Sequence, residues 1–211
     1  MSPPPPEQSA AELAAAGERR RGRRPAGQDT KDALLAAARA EFSAHGYQGA
    51  RVRSIASAAG VDAAMVNHWF GGKEGLFAAA MDLPIKPEVL LSRLLDGARE
   101  DLGERIVRTF LTVWDGTGGG AFVALLRSVS THEEAARMLR EFVTEVVFRR
   151  LADVVGADRP ALRASLCGSQ LVGLGMARYV IKFEPLASAD IATLAITIGP
   201  NLQRYLTEPL P

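Results

Sequence analysis

The chain has 211 residues, 47% hydrophobic and 23% charged, with a formal net charge of +1. That length allows one small and one larger domain, and charged residues or glycine break every apolar run well short of the 18 or so residues a membrane span needs. Prolines and charges fill the N-terminus where a secretory signal needs an apolar core, and one cysteine allows no internal disulfide, so the expected compartment is the cytoplasm.

Five of the 25 basic residues fall between Arg19 and Arg24, so the near-neutral balance hides a local concentration. Residues 1–28 carry Pro3 to Pro6, an alanine run and the stretch RRRGRRPAG, with no core-forming spacing. This composition predicts a disordered basic arm. Arg23 and Arg24 suit an anionic partner, where they would sit on phosphates or enter the minor groove if that partner is DNA; the alternative is a solvated charged tail.

From Asp29 onward the pattern is helical. Asp29 or Thr30 is placed to cap a first helix, Leu34, Leu35, Ala38 and Phe42 form its inner stripe, and His45 with Gly46 marks its end. His45 there suits the helix dipole and reads as structural. Val52, Ile55, Ala56 and Ala59 recur at i, i+3, i+4 and i+7, one apolar stripe on a helix of about two turns. Gly60 ends it, and Asp62 is placed to accept hydrogen bonds from the free amides of the next helix. There Val66 and Phe70 pack inward while Ala64, Asn67 and His68 face away. This is the helix-turn-helix plan, whose second helix lies in the DNA major groove, although plain bundles also join helices by glycine.

From Thr30 to Met81 the chain resembles the tetracycline-repressor (TetR) family. The helix TKDALLAAARAEFSAHGYQGA, then VRSIASAAGV, then NHWFGGKEGLF carry AxxxFSxHGY, IAxxAGV, HWF and KExLF in the family's order and spacing. The resemblance implies an all-α protein: the arm at 1–28, a helix-turn-helix DNA-binding domain at 29–77, and a helical effector-binding and dimerisation domain at 78–211. Arg51 and Arg53 flank the second helix where family members touch the DNA backbone, so both are expected on phosphates. The recognition helix departs from the family pattern, carrying Ala63, Met65 and Asn67 where relatives usually have Tyr, Lys or Thr. Base reading then rests on Asn67, which suits adenine or a phosphate, and on His68, which could do either. Ala63, Ala64 and Met65 would press on thymine methyls. Trp69 and Phe70 read as core, with the Trp69 indole nitrogen free to reach a phosphate. Lys73 opens the next helix against its dipole, a position that a neighbouring phosphate would explain.

Beyond Phe77, helical stripes alternate with breakers and no strand pattern emerges. The expected helices are 73–82, 87–97, 102–114, 119–131, 133–155, 160–183 and 188–206. In 160–183, Ser165, Ser169, Gly173 and Ala177 form a small-residue row that lets another helix approach closely. In 188–206, Ile191, Leu194, Ala195, Ile198, Leu202 and Tyr205 give a near-heptad stripe, with Pro200 predicting a kink or break. Family members build a dimeric four-helix bundle from two such helices, and LVGLGMARYVIKFEPLASAD looks like one recurrent C-terminal type. A monomer could instead bury both stripes internally.

The resemblance also places an effector cavity among the middle helices. Phe110, Trp114, Phe122, Leu126, Phe142 and Val146 are its candidate lining, although mutual packing is the simpler use of each. Gln170, in the row Leu162, Leu166, Gln170, Leu174, would be a buried amide seeking a partner. So few charges predict a largely apolar, uncharged effector, admitted by the glycine-rich loop from Trp114 to Gly120.

The three histidines lie in unrelated segments, and Cys167, between Leu166 and Gly168, has no neighbouring base and reads as buried packing. No phosphate-binding fingerprint follows a strand. No metal or cofactor is expected. The reading is a ligand-responsive, sequence-specific transcriptional regulator, most simply a homodimeric repressor that binds double-stranded operator DNA and is released by a small apolar molecule. A constitutive DNA-architectural protein and an all-α enzyme are the alternatives.

Overall fold

The computed structural model describes residues 26–155 and 158–210. Arg23 and Arg24, and the arm that holds them, lie outside these. Eleven α-helices are described: α1 (Ala26–Gly49), α2 (Val52–Ala58), α3 (Ala64–Phe70), α4 (Lys73–Ala80), α5 (Pro87–Leu95), α6 (Leu102–Asp115), α7 (Gly120–Thr131), α8 (Glu133–Phe142), α9 (Arg149–Val155), α10 (Pro160–Gly175) and α11 (Ile191–Thr207). No strand occurs among the described residues. Wide π turns at Val143–Phe148 and Met176–Ile181 join α8 to α9 and extend α10. The fold is therefore all-α, and the expected C-terminal helices are all present with ends moved by a few residues. Helix 133–155 is the exception, being divided by the first π turn.

Two hydrophobic cores organise these helices. The first gathers Leu34, Ala38, Phe42 and Tyr47 of α1 with Ile55, Val66, Phe70, Leu76 and Phe77, and it also takes in Ala135, Met138, Phe142 and Val146 from the α8 segment. The second joins Leu102, Ile106, Val107 and Leu111 of α6 to Leu194, Ala195, Leu202 and Leu206 of α11, with Cys167 and Leu174 from α10.

The second core corrects the expectation for α11. Leu194 and Leu202 are 7% and 0% exposed inside the chain, while Ile191, Ile198 and Tyr205 pack half-buried against the same cluster. A near-heptad stripe fits a helix of the same chain as readily as one from a second copy, and here two glycines decide between them. A Cβ on Gly103 would lie 2.3 Å from the Gly199 carbonyl oxygen, and one on Gly199 would lie 2.7 Å from Glu104 Cα, so α6 and α11 cross backbone against backbone. Gln203 fastens the crossing, accepting from the Gly103 amide at 2.8 Å and donating to the Arg99 carbonyl at 3.0 Å. Nor does Pro200 end α11, which runs unbroken from Ile191 to Thr207. Its first turn is capped by Asp190, which accepts from the Thr193 amide at 2.8 Å and from its hydroxyl at 2.7 Å.

Two arginines lock the C-terminal helices. Buried Arg163 of α10 donates to the carbonyls of Tyr205 and Glu208 at 2.6 and 2.9 Å and pairs with Asp158, satisfying acceptors at the end of α11. Arg178, in the second π turn, donates through Nε and Nη2 to the two Asp115 carboxylate oxygens at 3.0 and 2.8 Å. Its Nη1 reaches the carbonyls of Leu186 and Ala189 at 3.0 and 2.9 Å.

Candidate nucleic-acid interface

The α2–α3 pair has the local geometry its sequence implies. Val52 and Ala59 are half-buried, Ile55 and Ala56 are buried, and Gly60 turns the chain with φ +70°. Asp62 Oδ1 accepts from the Ala64 amide at 2.7 Å, opening α3. Val66 and Phe70 face the first core, whereas Ala64, Asn67 and His68 are exposed. Ala63 and Met65 are half-buried, and Met65 packs with Trp69 on the edge of the core. The outward face of α3 thus narrows to Ala64, Asn67 and His68, with Arg51 and Arg53 exposed at the start of α2. Two side chains able to hydrogen-bond base edges, flanked by two guanidiniums, suit a helix laid in a groove.

Lys73 has internal partners. Its Nζ donates to the Gln48 carbonyl at 3.1 Å and lies 5.0 Å from the centre of the Tyr47 ring. Burial pushes its ammonium below the ordinary lysine value, against the pull of Glu141 and Glu41. These contacts tie the start of α4 to the end of α1, a structural use of the charge that the helix dipole alone did not suggest. His45 stands 3.6 Å from Glu41, one turn earlier on the same helix.

Behind α3, the reader is fused to α8. Phe77 stacks on Phe142 at 4.5 Å between ring centres, and Tyr47 meets Phe77 and Phe142 edge-on at 5.2 and 5.3 Å. Burial, then the charges of Glu74 and Glu145, raise the Tyr47 phenol to about 12, so it stays a neutral ring in this cluster. Polar contacts run alongside. Arg137 donates to the Ser43 carbonyl at 2.9 Å, Glu141 accepts from the Gln48 amide at 3.3 Å, and Arg150 stands 3.5 Å from Glu74.

The seven residues expected to line one effector cavity are not brought together. Phe110, Trp114 and Phe122 form an edge-on aromatic cluster with ring centres 5.3–6.1 Å apart, closed by Tyr179. Phe142 and Val146 belong to the reader's core instead. Leu126 is half-buried, and so is Gln170, which removes the demand for a buried partner. The loop from Trp114 to Gly120 is pinned: Gly119 lies so close to the Tyr179 ring that a Cβ there would come within 2.6 Å, and Asp115 is held by Arg178 and by the Tyr179 hydroxyl at 2.8 Å. One cleft that does open, of about 470 Å3, lies between Arg39, Ser43 and the end of α4 on one side and α7 with α8 on the other. Arg163 and Arg178 also escaped the sequence reading. Their only signal there was an arginine interrupting an otherwise apolar stripe.

Cys167 is fully buried, and burial raises its thiol to about 11, consistent with packing. Among the described residues no group of His, Cys, Asp and Glu is arranged to hold a metal ion, and no helix is long and apolar enough to cross a membrane.

A helix-turn-helix at the front of an all-α chain, presenting a small polar face, defines a DNA-binding regulator. The family comparison specifies which kind. Residues 34–80 match the family model described as bacterial regulatory proteins of the tetR family, and residues 100–206 match the tetracycline-repressor-like C-terminal domain. A TetR-family regulator from Streptomyces coelicolor A3 is 39% identical, with 88% of this chain and 98% of that one covered and a TM-score of 0.46. The chain belongs to the TetR family of transcription regulators. Two more distant structures also match. The regulator FadR from Bacillus subtilis, in complex with stearoyl-CoA, shares 14% identity over 85% of this chain and 99% of that one, with a TM-score of 0.47. NalD from Pseudomonas aeruginosa, the secondary repressor of the MexAB-OprM multidrug efflux pump, shares 21% over 89% and 100%, with a TM-score of 0.39. Neither is close enough to carry an argument about this chain. No curated protein matches it.

Proposed function

We infer that this chain is a cytoplasmic, homodimeric repressor that reads its operator through Asn67 and His68 and lets go when a small, largely apolar molecule binds. One observation carries the reading: the core that seats the recognition helix also contains Phe142 and Val146 of the C-terminal helices, so a change in those helices reaches α3 without a flexible joint between.

A second copy has a surface to use. Ser165, Ser169 and Gly173 of α10 are exposed in one row, beside Leu162 at 45% and Val172 at 50% exposed, and Ile196 of α11 is 61% exposed. Nothing lies within 4 Å of a Cβ added at Gly173. Gly173→Leu is therefore accommodated in a single chain and should disturb only a partner, and sedimentation of both proteins at micromolar concentration checks it. A wild-type chain that sediments as a monomer would end the dimer reading.

Selecting fragments bound from a random DNA pool would supply the operator. On that DNA, Asn67→Ala or His68→Ala should each weaken binding by about 1–3 kcal/mol with the melting temperature kept, since both side chains face outward. Equal affinity for selected and random DNA would instead indicate an architectural binder.

A further inference from the structure

We propose that Glu41 of α1 is a positioning residue for DNA binding: it holds the backbone at Arg51, so that the guanidiniums at the start of α2 meet the phosphates in a fixed register. The proposal rests on the reading of Arg51 and Arg53 as phosphate contacts and names what places them. α2 has no cap of its own. Arg51 is its N-cap residue, extended at φ −115° and ψ 124°, and its side chain makes no cap hydrogen bond. The amide of such a residue is ordinarily met by a Glu or Gln three residues further on, and Ser54 stands there instead. A carboxylate from α1 answers it. Glu41 Oε1 accepts from the Arg51 amide at 3.0 Å, across ten residues of chain. Its other oxygen stands 3.6 Å from His45 Nδ1, and the Glu41 side chain is only 18% exposed, so the carboxylate is held from both sides.

The same corner is gripped at a second peptide. Gln48 gives its amide to Glu141 at 3.3 Å, and its carbonyl accepts from Lys73 Nζ at 3.1 Å. Between Gly46 and α2 the chain thus hangs on side chains of α1, α4 and α8, and the Glu41 clamp is the one next to the guanidiniums. Both guanidiniums are exposed and have no hydrogen-bond or ion-pair partner among the described residues, so the backbone sets where they stand. A clamp that fixes that backbone in the free protein removes the ordering cost from binding. Charge alone argues the other way. A carboxylate beside a surface that meets phosphates repels them, so its removal should tighten binding unless its acceptor oxygen is in use.

The test titrates a labelled mixed-sequence duplex with the full chain over a range of salt concentrations, where phosphate contacts are read without regard to base sequence. Glu41→Ala should weaken binding about threefold to tenfold and flatten the slope of log affinity against log salt by about one unit, the loss of one phosphate contact. Glu41→Gln deletes the charge and keeps the acceptor, and should bind at least as tightly as the parent with the parent's slope. Glu41→Asp keeps the charge but shortens the reach; it should lose affinity as the alanine variant does, and it stands in if that variant does not fold. Arg51→Ala should reproduce the loss, and combining it with Glu41→Ala should cost nothing more. If Arg51→Ala weakens binding while Glu41→Ala and Glu41→Asp bind as tightly as the parent or more so, the proposal is overturned and the phosphate reading stands. A loss in Glu41→Gln equal to that in Glu41→Ala, or losses that add in the double variant, would overturn it as well. If Arg51→Ala alters neither affinity nor slope, the phosphate reading of Arg51 falls and the positioning role falls with it.

Discussion

The two cores differ in what they are made of and in what they join. The reader's core is aromatic, with Phe42, Tyr47, Phe77 and Phe142 meeting at ring-centre distances of 4.5–6.2 Å, and it crosses from the DNA-binding helices into α8. The α6–α11 core is aliphatic and closed by a glycine crossing, with elements of the C-terminal region alone. Close-packed rings pass strain from one to the next, whereas two backbones in contact have no side chain left to adjust. The first core is suited to transmit a displacement and the second to resist one. The release proposed above, in which the reader moves while its platform stays, needs both.

The largest expected effect tests the aromatic core. Phe142→Ala removes a ring that is 3% exposed and touches both Phe77 and Tyr47, and should cost about 3–5 kcal/mol. Hydrogen exchange decides whether the damage follows the core. Amides of α1 and α8 should lose protection together while those of α6 and α11 keep theirs. Exposure of α8 alone would show that the reader is an independent unit.

The converse substitution is Gly199→Leu. With Glu104 Cα only 2.7 Å from an added Cβ, the two helices must separate, at a cost of about 1–3 kcal/mol or somewhat more. Here α6 and α11 should lose protection and α1 should not. A variant as stable as the parent would mean that the crossing is looser than its geometry.

These two substitutions also mark how far the sequence could be read. Helix positions were legible because apolar stripes at helical spacing are bounded by glycine and proline, and the outward face of α3 was legible from Val66 and Phe70 alone. The partner of each stripe was not. Phe142 shows as apolar whether it faces an effector or Phe77, and Leu194 shows the same spacing whether it faces α6 or a second chain. Arg163 and Arg178 depend on carbonyls and a carboxylate brought together only by folding, so no local pattern announces them.

Between the cores, Asp115 holds the loop that ends α6. Burial works to raise its carboxyl, but hydrogen bonds from Arg178 and Tyr179 and the Arg178 charge outweigh it and hold the group below the ordinary aspartate value. A carboxyl depressed by folding contributes stability that is present above its unfolded value of about 3.9 and is lost as pH falls through the folded one. Asp115→Asn should therefore cost about 2 kcal/mol near neutrality, the scale of hydrogen bonds to a charged group, and the gap to the parent should close in acid. Denaturant melts of the pair from pH 7 down to pH 2 check this. A gap that stays constant would assign the loss to packing.

The smallest expected effect concerns the ion pair that runs beside the aromatic bridge. Arg150 and Glu74 stand 3.5 Å apart with side chains 53% and 33% exposed, linking α9 to α4 across the same boundary that Phe142 and Phe77 span. Exposed pairs contribute about 0–1 kcal/mol because water screens the charges and ordering two long side chains costs entropy. If the rings carry the coupling, Arg150→Ala should change stability by less than about 0.5 kcal/mol, and half-molar salt should reduce even that by screening the pair in the parent. A loss comparable to that of Phe142→Ala, or one that salt leaves untouched, would move the transmitting contact from the stacked rings to the charged edge beside them.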